Sequence, residues 1–185
     1  MRPDNVRPVF FVLTLALAGC ASPPYQDPGV ADAATLTIQN DSDSLAGLRG
    51  YKGASDCSGQ VMFDKTGGVA AKSSLKIKVK PDEPFTLSID AKIKGFRYSS
   101  SAYNGRGGLV SEMNCPIFAT FTPQKNTSYV AAYHATPAAP DDASALPSCK
   151  LTLYRVENDA LVEDPSLRER ALGPKPFTGE GAFCK

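Results

Sequence analysis

Apolar and polar residues alternate along several short stretches of the chain. In "SSLKIKVK", residues 73–80, Leu75, Ile77 and Val79 alternate with lysines and serines. A period of two residues is typical of β-strands that bury one face. Seven stretches show this alternation: 35–40, 45–51, 73–80, 84–95, 116–123, 127–135 and 150–156.

The order of these stretches indicates the fold class. Turn-forming residues separate them, and the long helical periodicity that a βαβ architecture requires is missing. We therefore expect an all-β protein, an antiparallel β-sandwich of about seven strands that is immunoglobulin-like or transthyretin-like. A short C-terminal helix is also expected, capped by Asp164, with Pro165 at its first position, formed by "SLRERAL" and ended by Gly173.

The N-terminus carries a different apolar pattern. The run from Val9 to Ala18 has ten residues, whereas a membrane-spanning helix needs about 20. Arg2 and Arg7 precede the run and small residues follow it, which is the layout of a secretory signal. Its last four residues, Leu17-Ala18-Gly19-Cys20, resemble the lipobox of bacterial lipoproteins.

The resemblance implies cleavage before Cys20, a diacylglycerol on the Cys20 sulfur and a further acyl chain, such as palmitate, on the new amino terminus. Two such chains already anchor a protein stably. Ala21 and Ser22, with no Asp at the second position, are similar to the pattern that is sent to the outer membrane. An ordinary signal peptide with a chance cysteine is the alternative.

These signals divide the chain into three parts. Residues 1–19 are expected to be a lipoprotein signal peptide. Residues 20–34 are rich in Pro, Ala and Asp without apolar periodicity and are expected to form a lipidated tether. Residues 35–185 are expected to form a single sandwich domain with a C-terminal tail, on the periplasmic face of the outer membrane.

The five cysteines fit this division. Lipidation of Cys20 leaves an even set in an oxidising compartment, where disulfides persist: Cys57, Cys115, Cys149 and Cys184. We expect two disulfides and, of the three possible pairings, favour Cys57 with Cys115 and Cys149 with Cys184. Zinc sites usually have ligands a few residues apart, so the wide spacing argues against a metal, and no cofactor is expected.

The charge balance bears on possible partners. The chain has 20 basic and 19 acidic residues, and removal of Arg2, Arg7 and Asp4 with the signal peptide leaves 18 of each. Nucleic-acid-binding domains carry a clustered basic excess, so nucleic acid is not expected as a partner. The membrane, through the lipid anchor, and other envelope proteins are the expected partners.

Two surfaces are candidates for binding. The stretch 96–114 is expected to be a long loop in which Tyr98, Tyr103 and Arg106 stand among Ser, Gly and Asn, a composition typical of binding loops. Five lysines are expected on one face of two neighbouring strands, either as a basic patch or as a solvated sheet face: Lys76, Lys78, Lys80, Lys92 and Lys94.

Catalysis is not expected. His134 is the single histidine and belongs to the polar face of its predicted strand. No GxSxG motif accompanies it. Asp141 and Asp142 are adjacent in a Pro-rich and Ala-rich stretch, which does not provide the held separation that paired catalytic carboxylates need.

A second resemblance covers most of the chain after the lipobox. The order "LRGYKGASDC", "FATFTPQKNTSY", "CKLTLYRV" and a final Cys184 is similar to small proteobacterial envelope lipoproteins that have no assigned activity. The outer-membrane lipoprotein of type VI secretion machines is similar in layout, as a tethered sandwich. The expected function is therefore a non-catalytic binding or structural module, with an assembly subunit of an envelope or secretion complex, or an envelope hydrolase, as alternatives.

Overall fold

The computed structural model describes residues 22–63, 65–98, 108–137 and 147–171. Over these ranges the chain is all-β, without a helix. The strands are β1 (Ala34–Asn40), β2 (Ala46–Gly53), β3 (Ser58–Met62), β4 (Gly68–Val69), β5 (Ser73–Val79), β6 (Phe85–Tyr98), β7 (Gly108–Phe121), β8 (Ser128–Thr136), β9 (Ser148–Glu157), β10 (Ala160–Glu163) and β11 (Arg168–Glu169).

The strands form two sheets. One has the order β10-β9-β8-β1-β5, and the other has the order β11-β7-β6-β2-β3, with β4 also paired to β2. The pair β1–β8 is parallel, from Thr35 opposite Ser128 to Asn40 opposite Tyr133, whereas the remaining ladders are antiparallel. The all-β prediction is confirmed, but the sheet that contains β1 and β8 is mixed, the other sheet is antiparallel, and the described strands exceed the seven expected.

All seven predicted strands are present, because each has a clear apolar face. Their inward residues form one core between the sheets, in which Leu36, Ile38, Leu87, Ile89 and Tyr133 are fully buried. Burying a large apolar side chain of this kind stabilises the folded state by roughly 1.5–3 kcal/mol. Four described strands were not predicted, and all are short and lack this contrast. β3 has five residues of which only Val61 is buried, β4 and β11 have two residues each, and every residue of β10 is exposed.

The predicted C-terminal helix is wrong. The Asp164 carboxylate accepts the backbone N–H of Ser166 at 2.9 Å, which is a local turn that Asp forms as readily as a helix cap. Arg168 and Glu169 then pair with Thr120 and Ala119 at the edge of β7. A seven-residue helix is too short to be stable by itself. In this segment, pairing with the open edge of β7 satisfies backbone hydrogen-bonding groups instead.

The predicted disulfide pairing is also wrong. Cys115 on β7 is bonded to Cys149 on β9, with a Cα–Cα separation of 6.1 Å, so the bridge joins the two sheets. Cys57 is disulfide-bonded as well and packs with Tyr51 and Phe118 on the outer face of β2 and β7. Its partner is not among the described residues, and both Cys20 and Cys184 lie outside them.

The expected loop at 96–114 is largely replaced by strand. Pairing of β6 with β7 continues from Phe85–Phe121 to Tyr98–Gly108. β2 pairs with β6 only from Thr86 to Ala91, and β11 pairs with β7 only at residues 119–120. Residues 93–98 and 108–113 therefore form a two-stranded extension, here called the arm, that no other described strand joins.

The segment 22–33, expected to belong to a tether, lies against the sandwich. A parallel bridge joins Pro24 to Met62 at the end of β3, and the Tyr25 ring packs on Phe63 with ring centroids 4.8 Å apart. Its lack of apolar periodicity concealed these contacts, since it uses prolines and one tyrosine in place of an alternating face. In the part of the chain that the structure covers, no helix is both long and apolar enough to span a bilayer.

Candidate functional site

A cavity of about 650 Å³ lies where β6 separates from β2 and the arm begins. We call it the end cavity, because it is at one end of the sandwich. It is lined by Asp43, Ser44, Leu45, Gly47, Asp90, Lys92, Ile93, Asn114, Ala135 and Pro137. Both sheets contribute to it. Ala135 belongs to β8 in one sheet, and the other sheet provides residues of β2, β6 and β7, namely Gly47, Asp90, Lys92, Ile93 and Asn114.

The rim of the end cavity is the loop between β1 and β2, and Asn40 holds it. The Asn40 amide is fully buried and donates to the carbonyls of Ser44, Val69 and Ala70 at 2.8, 2.9 and 3.0 Å. Its oxygen accepts from the Ser42 hydroxyl at 2.6 Å. Because every polar group of this side chain has a partner, it contributes to a fixed loop conformation.

The same loop closes the sheet where β2 ends. The Ser44 hydroxyl donates to the Lys92 carbonyl at 2.7 Å, taking the place of a backbone donor from β2. Lys72 forms an ion pair with Asp43 at 2.9 Å on the outside of the loop. Leu45 follows, with 54% of its surface exposed, and it presents an apolar side chain at the mouth of the cavity.

Asp90 is the titratable group with the least satisfied surroundings at this site. The backbone N–H of Cys115 donates to its carboxylate, but its Oδ1 is buried without a partner in the structure described. Burial raises the pKa of Asp90, against smaller lowering effects of the Cys115 hydrogen bond and the Arg49 charge. A neutral carboxyl is thus favoured here more than in water.

Tyr133 and the disulfide brace the two sheets beside the end cavity. The Tyr133 hydroxyl donates to the Cys115 carbonyl at 2.8 Å and accepts from the Ala91 N–H at 3.3 Å. Burial raises the pKa of Tyr133, so this phenol remains a proton donor at neutral pH. Together with the Cys115–Cys149 bridge, it fixes β6 and β7 at the base of the arm.

The chemistry of the end cavity suits binding. Its wall combines apolar Leu45, Ile93 and Pro137 with a few polar side chains, namely Asp90, Lys92 and Asn114. His134 lies on the outer sheet face, where its Nδ1 is 3.3 Å from an Asp41 carboxylate oxygen, and it does not line the cavity. Within residues 22–63, 65–98, 108–137 and 147–171, no group of three or more metal-ligating side chains is found.

The five lysines that were predicted to share one sheet face lie in two different sheets. Lys76 and Lys78 lie on β5, at the edge of one sheet, and Lys80 directly follows that strand, whereas Lys92 and Lys94 are on β6 in the other sheet. The expected common lysine face on two neighbouring strands is therefore wrong. The reason is the turn at 81–84, which carries the chain from one sheet to the other instead of forming a hairpin.

The predicted binding residues fall partly outside the structure. Tyr98 is the last residue of β6, at the end of the arm, while Tyr103 and Arg106 lie outside the described residues. Asp141 and Asp142 lie outside them as well. The arm connects Tyr98 to the end cavity, because the cavity is at the base of the arm.

Asn40 and Asp90 were not predicted as site residues. Asn40 occupies the inward phase of its strand after Leu36 and Ile38, and a polar residue at an inward position is a signal for a buried network. Asp90 belongs to the polar phase of the β6 sequence, so alternation alone does not mark it as part of a site.

Comparison with known proteins gives no further guide to function. No protein-family model, curated protein or solved structure matches this chain significantly.

Proposed function

We propose that this protein is a lipid-anchored lipoprotein on the periplasmic face of a bacterial outer membrane, and that it works as a non-catalytic binding module. The end cavity and the arm are its binding surface. The observation that carries this proposal is the cavity at the base of a two-stranded arm, where rigid elements of both sheets converge on mixed apolar and polar walls.

The size and composition of the end cavity support a binding role. Ligand cavities commonly measure about 300–1,000 Å³ and combine apolar walls with a few polar groups, and this cavity measures about 650 Å³. The loop at its rim is held by the buried Asn40 network, so little ordering is needed when a ligand binds.

The arm supports a second candidate function, that of an assembly subunit in an envelope or secretion complex. Beyond Ala91, β6 has no partner from β2, and such an edge accepts an added strand from another protein. Tyr98, Tyr103 and Arg106, at or near the arm end in sequence, are residue types that contribute strongly at interfaces. Other envelope proteins are the partners that this candidate requires.

The lipid anchor is tested by Cys20→Ala. This variant should lose incorporation of a labelled fatty acid and accumulate as precursor or soluble protein. Cys57→Ala is the matched control, which removes a disulfide-bonded cysteine elsewhere and should still be labelled. Undiminished labelling of the Cys20→Ala protein would overturn the anchor.

Disulfide mapping gives an independent test of the anchor. Cys57 is bonded and Cys115 is bonded to Cys149, which leaves Cys20 and Cys184 as partners for Cys57. Acylation occupies the Cys20 sulfur, so we expect a Cys57–Cys184 peptide under non-reducing conditions. A peptide that joins Cys20 to Cys57 would contradict lipidation.

The binding surface is tested by photo-crosslinking in intact cells. A photoreactive amino acid replaces Leu45 at the mouth of the end cavity or, as the matched control, Leu161 on β10. These leucines are 54% and 56% exposed. We expect a specific adduct from position 45 and none from position 161. Equal labelling from both positions would remove the end cavity as the site.

A further inference from the structure

The segment 22–33 is attached to β3 from its first described residue. Gln60 donates to the Ser22 hydroxyl at 3.0 Å, and the Met62 N–H donates to the Pro23 carbonyl at 3.0 Å. The Tyr25 N–H returns a hydrogen bond to the Met62 carbonyl at 2.6 Å. The segment therefore adds a short strand to the outer edge of β3.

The segment then crosses to the other sheet and is held there as well. The Tyr25 hydroxyl donates to the Lys78 carbonyl at 2.6 Å, and burial raises the pKa of Tyr25 to about 12. The Asp27 carboxylate accepts the Lys78 N–H at 3.2 Å. Further on, Asp32 pairs with Lys125 at 3.2 Å. Contacts along its length thus leave no free spacer between Ser22 and β1.

The chain from the anchor to this attachment is short. Cys20 and Pro23 are three residues apart, and three extended residues span at most roughly 11 Å. A lipid on Cys20 therefore requires β3 to lie within about a nanometre of the bilayer surface.

The direction of the attachment decides which end of the sandwich is nearer the lipid. The segment runs parallel to β3: Tyr25 is bonded to Met62 and Ser22 to Gln60. Ser22, two positions after Cys20 in the sequence, is therefore nearer than Tyr25 to the start of β3 and the turn at 54–57. β2 leads from that turn back to Ala46 at the end cavity. Its eight residues separate the two ends by roughly 24 Å, and the strand from Ala91 to Tyr98 extends about 23 Å further.

We infer that the domain stands directly on the membrane of its anchor, with the 54–57 end against the phospholipid headgroups and the end cavity and arm directed away from them. This orientation rests on the lipid anchor proposed above. The short attachment to β3 produces this orientation. Two lysines at this end, Lys80 and Lys125, are paired with Glu83 and Asp32.

The sequence contains no tryptophan, so a single introduced tryptophan reports one position. Ser55→Trp marks an exposed site in the 54–57 turn, and Leu45→Trp marks the opposite end at the cavity. Each acylated full-length protein is placed in vesicles that contain lipids with a nitroxide on the headgroup. We expect severalfold stronger quenching of Ser55→Trp than of Leu45→Trp, unchanged at high salt.

A longer attachment provides the control. A flexible Gly/Ser linker of about 20 residues, with a typical end-to-end distance of roughly 25 Å, is inserted between Ala21 and Ser22. Quenching of Ser55→Trp should then fall towards that of Leu45→Trp. Equal quenching at both positions with the native attachment would overturn the orientation while the anchor stands. Failure of the protein to acylate or to bind vesicles would overturn the anchor, and the orientation with it.

Discussion

The hairpin β6–β7 contains two regions of the same two strands in different surroundings. From Phe85 to Ala91, β6 lies between β2 and β7, and Leu87 and Ile89 are fully buried in the core. In the arm, β6 and β7 pair with each other and with no other described strand. The inner region therefore has the support of both sheets, while the arm depends on a single ladder.

This difference teaches that one hairpin can serve two purposes. A two-stranded hairpin by itself is marginally stable in water, so the arm must be supported at its base. That support comes from the Cys115–Cys149 bridge and the Tyr133 hydroxyl, both at the last residues that the sandwich encloses. We expect changes in the inner region to affect folding and changes in the arm to affect binding.

The largest effect is expected for Leu87→Ala in the inner region. Removing a fully buried leucine creates a cavity and should lower the free energy of unfolding by about 3 kcal/mol. Lys76→Ala, at an exposed position of β5, is the control and should change it by less than about 0.5 kcal/mol. Urea unfolding measures both, and similar values for the two variants would refute the assignment of Leu87 to the core.

The second effect concerns the boundary between the two regions. The double variant Cys115→Ala, Cys149→Ala opens a loop of 34 residues and should lower the free energy of unfolding by about 3 kcal/mol. Hydrogen exchange should then quicken in the arm and at its base more than at Leu36 on β1. An unchanged exchange pattern would show that the bridge does not support the arm.

A smaller effect of opposite sign is expected for Asp90→Asn. The pKa of Asp90 is raised by burial above the usual 3.8, so its carboxylate destabilises the folded state once the pH exceeds the folded pKa. Removing the charge should raise stability by roughly 1 kcal/mol at pH 7, and this gain should vanish as the pH falls below the unfolded pKa. Asp43→Asn, an exposed carboxylate paired with Lys72, is the control. A gain independent of pH would contradict the explanation by charge.

The smallest effect on stability is expected when the arm is shortened. Replacing residues 95–111 with Asn-Gly joins Lys94 to Glu112, which face each other in the ladder, through a favoured hairpin turn. Stability should change by less than about 1 kcal/mol, because no other described strand pairs with the arm. Complementation of a deletion strain should nevertheless fail. Full complementation would remove the arm, and with it the replaced Tyr98, Tyr103 and Arg106, from the proposed function.

Sequence alternation predicted the sandwich to the extent that burial is one-sided. The strands β1 and β6 could be predicted because every second residue enters the core, as Leu36 and Ile38 do in β1 and Leu87 and Ile89 in β6. The four residues of β10 are all exposed, so no pattern marks them. The stretch 96–114 was predicted to be a loop, although its sequence contains Asn104-Gly105, a dipeptide typical of hairpin turns.

The end cavity was beyond prediction from the sequence. The cavity forms because β2 begins opposite Ala91, before the end of β6. This pairing register joins residues more than 40 positions apart, such as Ala46 and Ala91, and the sequence pattern does not reveal it. Asn40 marks the site only after its strand is known to face the core. The disulfide failed for a similar reason, since Cys115 and Cys149 meet through the packing of two sheets and not through chain proximity.

The parallel pair β1–β8 has a consequence for the order in which the protein folds. β1 is synthesised early, yet Thr35 meets its partner Ser128 only after about 90 further residues have been made. The segment 22–33 also waits for Lys78 and Lys125. Pairings this distant in sequence form slowly, over milliseconds to seconds, so the emerging chain cannot complete either sheet early. A nascent chain with this topology therefore stays incompletely folded until most of the domain has been synthesised.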